Sequence, residues 1–96
     1  MTKERCVYIL ECSDSSYYTG VTNDLDRRLW EHETGYDPSA YTFFRRQVKL
    51  VYSDWISDPS QAIALEKQIK GWSRAKKEAL INGAYYRLPG LSKRRT

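Results

Sequence analysis

The apolar positions of this 96-residue chain follow two different periods, and the change between them predicts the order of the elements. Residues 6–11 and 17–21 are rich in β-branched and aromatic side chains, which is typical of strands. Residues 13–16 between them are serine and aspartate, so we expect the two strands to form an antiparallel hairpin. Residues 49–55 have the same apolar character and predict a third strand.

Three further segments have the helical period. In the first, Leu25 and Leu29 form an i, i+4 apolar pair, Asn23 or Asp24 is the expected N-cap, and Gly35 is the expected left-handed end. The residues that follow, up to the third strand, are expected to form a loop.

The second helix is expected to begin at Asp58 and Pro59, because an N-cap followed by proline at the first helical position favours a helix start, and to end at Gly71. A third helix is expected between a cap at Ser73 and a stop at Asn82. The residues expected to face inward on these two helices are Ala62, Leu65, Ile69, Ala75, Ala79 and Leu80. The order β-β-α-β-α-α predicts an α+β fold, with helices flanking a three-stranded, mainly antiparallel sheet.

Length and charge narrow the class of protein. A chain of 96 residues is one domain; we expect it to occupy residues 1–88 and the basic tail 89–96 to be disordered. Residues 1–48 carry 6 Lys and Arg against 8 Asp and Glu, whereas residues 49–96 carry 10 against 4. The basic C-terminal half suits binding to a polyanion such as nucleic acid. The alternative is that these residues form a solvated basic surface without such a partner.

Composition argues against several other classes of site. Cys6 and Cys12 lie on one predicted strand with Cα atoms roughly 20 Å apart, whereas a disulfide requires no more than ~7 Å, so we expect both to be reduced, as suits a cytoplasmic protein. Two cysteines and one histidine give no zinc-site spacing. We expect no membrane span and, without a glycine-rich phosphate loop, no small-molecule cofactor.

Two tyrosines give the first indication of chemistry. If Leu10 lies opposite Tyr18 in the hairpin, Tyr8 lies opposite Gly20, and both phenols share one face because side chains alternate along a strand. Gly20 would then leave open space beside Tyr8 and create a shallow pocket floored by two phenols. The alternative is that each tyrosine serves only to pack the strand, as aromatic residues in strands commonly do. A one-residue slip in register would place the two phenols on opposite faces of the sheet.

The first two predicted helices add a cation, an imidazole and a carboxylate. Arg28 and His32 are four residues apart and share a helix face, and the planar fork of arginine fits a phosphate. Glu66 lies beside the inward face of its helix, where a carboxylate needs a partner. A metal ion or Arg28 could be that partner, and a salt bridge to Lys67 or Lys70 is the alternative. Arg28 could instead be an ordinary surface charge, and His32 an imidazole that is packed or exposed without a chemical role.

Basic residues crowd the predicted second and third helices, with Trp72 among them. Cations beside an aromatic side chain are typical of a nucleic-acid footprint, although we expect Trp72 itself to pack between those helices. The residues expected to contact nucleic acid are Gly20, Arg27, Arg45, Arg46, Lys67, Lys70, Arg74, Lys76 and Lys77.

Taken together, these residues resemble the GIY-YIG nucleases. Cys6-Val7-Tyr8 stands where that family has its first motif, and Tyr18-Thr19-Gly20 where it has its second. The segment 23–29 is similar to the helix that carries the family's arginine. The resemblance covers roughly residues 5–80 and is closest to small stand-alone members, a match that residues 73–81 strengthen.

The resemblance implies a reaction and a role for each residue. Nucleic acid, DNA or RNA, would be cut by divalent-metal-dependent hydrolysis, with Mg²⁺ or Mn²⁺ held by Glu66. Arg28 would stabilise the pentacovalent phosphate, Tyr8 would act as general base, and Tyr18 and His32 would orient the water and share its proton.

The function expected from this resemblance is a structure-selective DNA endonuclease of repair or processing. A nucleic-acid-binding module without useful catalysis is the first alternative. A structural protein whose basic surface serves another protein is the second. The sequence leaves the oligomeric state open.

Overall fold

The computed structural model describes residues 4–84 of the protein, so the expectations for residues 85–96, including the basic tail, lie outside the described residues. The elements are β1 (Arg5–Glu11), β2 (Tyr17–Thr22), α1 (Leu25–Thr34), a 3₁₀ helix (Phe43–Arg45), β3 (Lys49–Ile56), α2 (Pro59–Lys70) and α3 (Arg74–Ile81). The α+β class and the order β-β-α-β-α-α are confirmed.

The three strands form one antiparallel sheet in the order β2-β1-β3. Residues 6–10 of the central strand are all buried, because neighbouring elements cover both faces of β1. The register of the hairpin pairs Leu10 with Tyr18 and Tyr8 with Gly20. The two tyrosines therefore lie on the same face of the sheet, as their spacing predicted.

Local capping explains where α1 begins and ends and where α2 begins. The Asp24 side chain accepts a hydrogen bond from the backbone N–H of Arg27, and Gly35 ends α1 in the left-handed conformation with φ 70°, which glycine adopts without steric cost. The Asp58 side chain accepts from the N–H of Ser60, with proline at the start of α2.

The alternation along β1 divides the core into two clusters. On one face Val7 and Ile9 pack against Ala62, Ile69 and Leu80 from α2 and α3. On the opposite face α1 and the segment before β3 provide the cover. The residues of this second cluster and the side chains packed against it are Cys6, Tyr8, Leu10, Tyr18, Leu25, Leu29 and Val48.

The buried face of α3 differs from the expected one. Ser73 caps the helix as predicted, but Ala75 is exposed and Lys76 is buried together with Ala79 and Leu80. The apolar stem of a lysine can line a core when its ammonium finds a favourable partner. The ammonium of Lys76 lies 4.3 Å from the centroid of the Trp72 ring, and this cation–π contact favours its burial.

Candidate active site

The phenol of Tyr8 lies directly over Gly20. A Cβ atom built on Gly20 would lie 2.5 Å from both Cζ and the hydroxyl oxygen of Tyr8, far inside van der Waals contact. Tyr8 itself is 0% exposed. The open space expected beside Tyr8 is therefore filled by its own ring, and Gly20 admits that ring into the core.

A chain of hydrogen bonds begins at this buried phenol. The Tyr8 hydroxyl lies 3.0 Å from Nε2 of His32, and Nδ1 of His32 lies 2.7 Å from Oγ1 of Thr42. His32 and Thr42 are 5% and 1% exposed, so the imidazole is held at both ring nitrogens away from solvent. No sequence signal indicated Thr42, because only the path of the loop after α1 brings it to His32.

The surroundings of these hydrogen bonds favour the neutral forms of Tyr8 and His32. Burial, reinforced by the neighbouring Tyr18 phenol, raises the pKa of Tyr8, and the positive charge of Arg28 only partly offsets this. Burial and the charge of Arg28 lower the pKa of His32, while Glu31 raises it slightly. At neutral pH the His32 ring is therefore an unprotonated imidazole with one nitrogen able to accept a proton.

A depression of about 610 Å³ lies beside the hydrogen-bonded chain. Tyr18, Arg28 and His32 line it, so three of the predicted catalytic side chains share one concave surface. Tyr8 lies beneath this surface and contributes nothing to its lining. Tyr41, from the loop after α1, forms part of the wall and stacks on Tyr18 with ring centroids 6.0 Å apart.

Arg28 is the cation of this depression. Its Nε atom lies 3.3 Å from one carboxylate oxygen of Glu31, and Arg27 approaches the other oxygen at the same distance. The Arg27 side chain is 71% exposed, against 43% for Arg28. The positive charge of Arg28 also lowers the pKa of Tyr8 and of His32, so Arg28 acts electrostatically on both side chains.

Glu66 lies on α2, which covers the opposite face of the sheet from α1. Its side chain is 9% exposed, and a carboxylate oxygen lies 2.6 Å from Nζ of Lys70. This is the salt bridge that the sequence left as one alternative. Lys70 lines a second depression together with Tyr18. Ile63, one turn before Glu66, lines a third together with Arg28. Glu66 itself lines none of these three depressions, although its neighbours on α2 reach the surroundings of both Tyr18 and Arg28.

Comparison with known proteins decides the family. A model of the GIY-YIG catalytic domain matches residues 4–79. The chain belongs to the GIY-YIG family. A UPF0213 protein of Halobacterium salinarum is 47% identical over 75 residues, which cover 78% of this chain and 96% of that protein. A UPF0213 protein of Syntrophus aciditrophicus is 48% identical over 75 residues, covering 78% and 86%.

A solved structure gives the same result. The solution NMR structure of a UPF0213 protein from Bacillus halodurans is 40% identical, has a TM-score of 0.55 and covers 82% of this chain and 83% of that one. GIY-YIG domains are nuclease domains, so the family supports an endonuclease that acts on nucleic acid. Between residues 4 and 84 no helix is long and apolar enough to cross a membrane.

The loop of this GIY-YIG domain uses two of the predicted nucleic-acid contacts for its own structure. Nε of Arg45 lies 3.0 Å from an Asp14 carboxylate oxygen. Arg46 donates to the carbonyl oxygens of Thr34 and Phe43. Both guanidinium groups thus hold the segment between α1 and β3 against the rest of the domain.

The basic residues of α2 and α3 divide in a similar way. Arg74 and Lys70 are each ion-paired within their own helix of this GIY-YIG domain, and Lys76 is buried. Lys67 and Lys70 are exposed and Lys77 is half-buried. Within residues 4–84, Lys67 and Lys77 have no ion-pair partner, and they are the cations of α2 and α3 best placed to meet a phosphate.

Proposed function

We propose that this chain is a divalent-metal-dependent endonuclease that hydrolyses phosphodiester bonds in DNA, selects for DNA structure and acts in repair or processing. One observation carries the proposal. The buried Tyr8 hydroxyl is hydrogen-bonded to the His32 imidazole, directly beneath a depression lined by Tyr18, Arg28 and His32. A proton acceptor and a phosphate-binding cation therefore meet at one concave surface, as hydrolysis of a phosphodiester requires.

His32 is the final proton acceptor in this proposal. When Nδ1 carries the proton and donates to Thr42, Nε2 accepts from the Tyr8 hydroxyl. The attacking water would give its proton to the hydroxyl oxygen of Tyr18, which lines the depression. Tyr18 would pass its own hydroxyl proton to Tyr8, and Tyr8 would pass its proton to Nε2 of His32. The resemblance had assigned the contact with water to Tyr8, but complete burial of that residue gives the outer position to Tyr18.

Arg28 supplies the charge for the phosphate. Its guanidinium is partly exposed at the depression and can leave Glu31 to donate two parallel hydrogen bonds to phosphate oxygens. Charge grows on those oxygens in the transition state. A fixed donor aimed at that charge typically contributes a factor of about 10²–10³ in rate.

Glu66 is the residue that would hold Mg²⁺ or Mn²⁺. Among residues 4–84 no three His, Cys, Asp or Glu side chains are gathered into a metal site, but Mg²⁺ usually keeps several waters and needs only one or two carboxylates. The partner of Glu66 is the ammonium of Lys70, whose side chain is 54% exposed and free to swing away. The residues therefore fit one divalent ion, which would stabilise the charge on the leaving oxygen.

Two substitutions test the proposal on a labelled panel of duplex, single-stranded, flapped and four-way-junction DNA with Mg²⁺ or Mn²⁺. We expect Arg28→Ala to lower kcat by about 10²–10³. Arg27→Ala, which removes the other guanidinium on Glu31, should act mainly on KM. Glu66→Gln should abolish metal-dependent cutting and weaken Mn²⁺ binding measured by electron paramagnetic resonance. Cutting at the parent rate in both Arg28→Ala and Glu66→Gln would falsify this site.

The alternative of a binding module is favoured by one observation, the ion pair that occupies Glu66. If Lys70 holds the carboxylate permanently, the domain binds nucleic acid without cutting it. That function predicts salt-sensitive binding, no cleavage with either metal, and no loss of binding in Glu66→Gln.

A further inference from the structure

The second depression lies on the far side of Tyr18 from the first. It has a volume of about 400 Å³ and is lined by Tyr17, Tyr18, Thr19, Tyr41, Lys70 and Lys77. We call it the tyrosine–lysine depression. Tyr18 and Tyr41 line both depressions, so their stacked rings separate the two. A ligand in the tyrosine–lysine depression would lie next to whatever occupies the depression of Arg28.

The aromatic walls of the tyrosine–lysine depression are held in place. The Arg45 guanidinium lies 3.9 Å from the centroid of the Tyr41 ring, and the Tyr41 hydroxyl lies 2.9 Å from Oγ of Ser16. The Arg74 guanidinium lies 4.5 Å from the centroid of the Tyr17 ring. Rings fixed before binding lose little conformational freedom when a flat ligand packs against them.

The charges at this depression suit an anion. The side chains that line it include two lysines and no carboxylate, whereas Glu31 and Asp37 line the first depression. Lys70 is paired with Glu66. For the half-buried ammonium of Lys77, residues 4–84 provide no hydrogen-bond or ion-pair partner. Burial and the nearby charge of Arg74 lower the pKa of Lys77, and an anion bound there would relieve both effects.

Thr19 provides an independent indication of a ligand. It is 3% exposed, and its Oγ1 atom has no hydrogen-bond partner within residues 4–84. A buried hydroxyl without a partner costs about 1–3 kcal/mol. Thr19 lines the depression, so a polar ligand or a water bound with it can supply the missing partner.

We propose that the tyrosine–lysine depression binds an unpaired nucleotide next to the bond that is cut, with the base against the tyrosines and the phosphate on Lys77. This inference rests on the proposed nuclease function and gives its substrate class, which is nucleic acid that is single-stranded at the cleavage point. Bases in a duplex are stacked inside the helix and cannot reach aromatic walls, whereas an unpaired base can stack on them. The volume of the depression lies within the ~300–1,000 Å³ of small-ligand pockets.

The test measures binding without cleavage. Fluorescence anisotropy in EDTA compares labelled oligothymidylate, oligouridylate and a blunt DNA duplex. We expect either single strand to bind more tightly than the duplex, and a preference between the two strands identifies the sugar. Tyr17→Leu should weaken single-strand binding by at least about fivefold, the lower end for loss of one stacked base. Lys77→Met should make the dependence of log K on log salt shallower by about 0.7.

Matched controls lie on β3, at the opposite edge of the sheet. Lys49→Met removes a lysine charge from an exposed position, and Trp55→Leu removes an aromatic ring that is 45% exposed. Neither control should change single-strand affinity. Equal effects of Lys77→Met and Lys49→Met, or tighter binding of the duplex, would overturn the proposal.

A second measurement guards against misfolding of Tyr17→Leu. Addition of a thymidine trinucleotide to the ¹⁵N-labelled parent protein should shift the amide signals of Thr19 and Lys77, and unmoved signals would also overturn the proposal. Failure of this proposal and failure of the nuclease function can be told apart. Single-strand binding that depends on Tyr17 and Lys77 without any cutting refutes only the nuclease. Arg28-dependent cutting of duplex with no single-strand preference refutes only the inference about the substrate.

Discussion

The two faces of β1 arise from the same alternating strand and yet hold different chemistry. On the face covered by α2 and α3, Val7 and Ile9 pack against aliphatic side chains. On the face covered by α1, Tyr8 buries a hydroxyl 3.0 Å from Nε2 of His32, and His32 in turn reaches Thr42. One face is mainly an aliphatic core, and the other adds a buried polar chain to its apolar packing.

The difference shows how a small domain can separate stability from reactivity. Apolar burial stabilises by about 25 cal/mol per Å² and tolerates many arrangements. A buried polar group is tolerated only when it is hydrogen-bonded. The Tyr8–His32–Thr42 chain satisfies this condition, and any change that breaks it leaves a polar atom unpaired. We therefore expect substitutions in the aliphatic core to change mainly the free energy of unfolding, and substitutions that break the polar chain to change the chemistry as well.

The largest change in the free energy of unfolding should come from Ile69→Ala on the apolar face. Ile69 is fully buried, and truncation of such a residue to alanine costs about 2–5 kcal/mol. Urea unfolding gives the loss directly. The matched control is Ile63→Ala on the same helix, because Ile63 is 42% exposed and exposed substitutions usually change stability by no more than about 0.5 kcal/mol.

The Ile69→Ala variant also tests whether the two faces of β1 respond independently. NMR signals of the His32 ring should be unchanged in folded Ile69→Ala, because β1 lies between the two clusters. If the His32 signals move as much as those of Ile9, the two faces are one coupled core and the comparison fails.

The fold was predictable from the sequence because its determinants are local. The short polar turn predicted the hairpin, and of the two registers that the sequence left open the structure has the one that places Tyr8 and Tyr18 on the same face. Asp24 and Asp58 each accept a backbone N–H at the helix starts. Arg28 and His32 share a helix face, and both line the first depression.

The site was less predictable because its remaining contacts are distant in sequence. Thr42 reaches His32 through the course of a loop that has no periodic pattern. The burial of Tyr8 follows from α1 closing over the sheet, which the spacing of residues could not show. The choice of Lys70 over Arg28 as the partner of Glu66 depends on which side of the sheet α2 packs, and the pattern of β1 is apolar on both sides.

An intermediate effect is expected from Gly20→Ala, which acts on the polar face alone. The added Cβ would lie 2.5 Å from the Tyr8 ring and hydroxyl, and because that ring is fully buried it cannot move freely. Overpacking of this kind costs about 1–3 kcal/mol and should displace the hydroxyl from His32. Urea unfolding and the His32 ring signals measure both consequences.

Gly71→Ala is the matched control. Its Cβ would meet nothing closer than 3.6 Å, and no positive φ is present at Gly71. Alanine there should be neutral or stabilise by about 0.4–1 kcal/mol, since it restricts the unfolded chain. Equal stability of the two variants would show that the approach of Tyr8 to Gly20 is not a constraint.

The smallest effect should be the pH dependence that His32 gives to the free energy of unfolding. Burial and the charge of Arg28 lower the pKa of His32 below its ordinary 6.5, so the unfolded chain takes up a proton at a higher pH than the folded one. The stability is therefore complete above about pH 6.5 and decreases as the pH falls towards the folded pKa. For one proton the slope cannot exceed about 1.4 kcal/mol per pH unit.

The chain has one histidine, so an NMR titration of the ring protons reports this pKa without ambiguity. Arg28→Gln should raise the pKa of His32 because it removes a positive charge, while Arg27→Gln should change it less because that side chain lies further into solvent. In His32→Gln the loss of stability between pH 7.5 and 5.5, measured by urea unfolding, should disappear. An unchanged loss would place the titrating group elsewhere and would leave the neutral imidazole, on which the proposed proton path depends, without support.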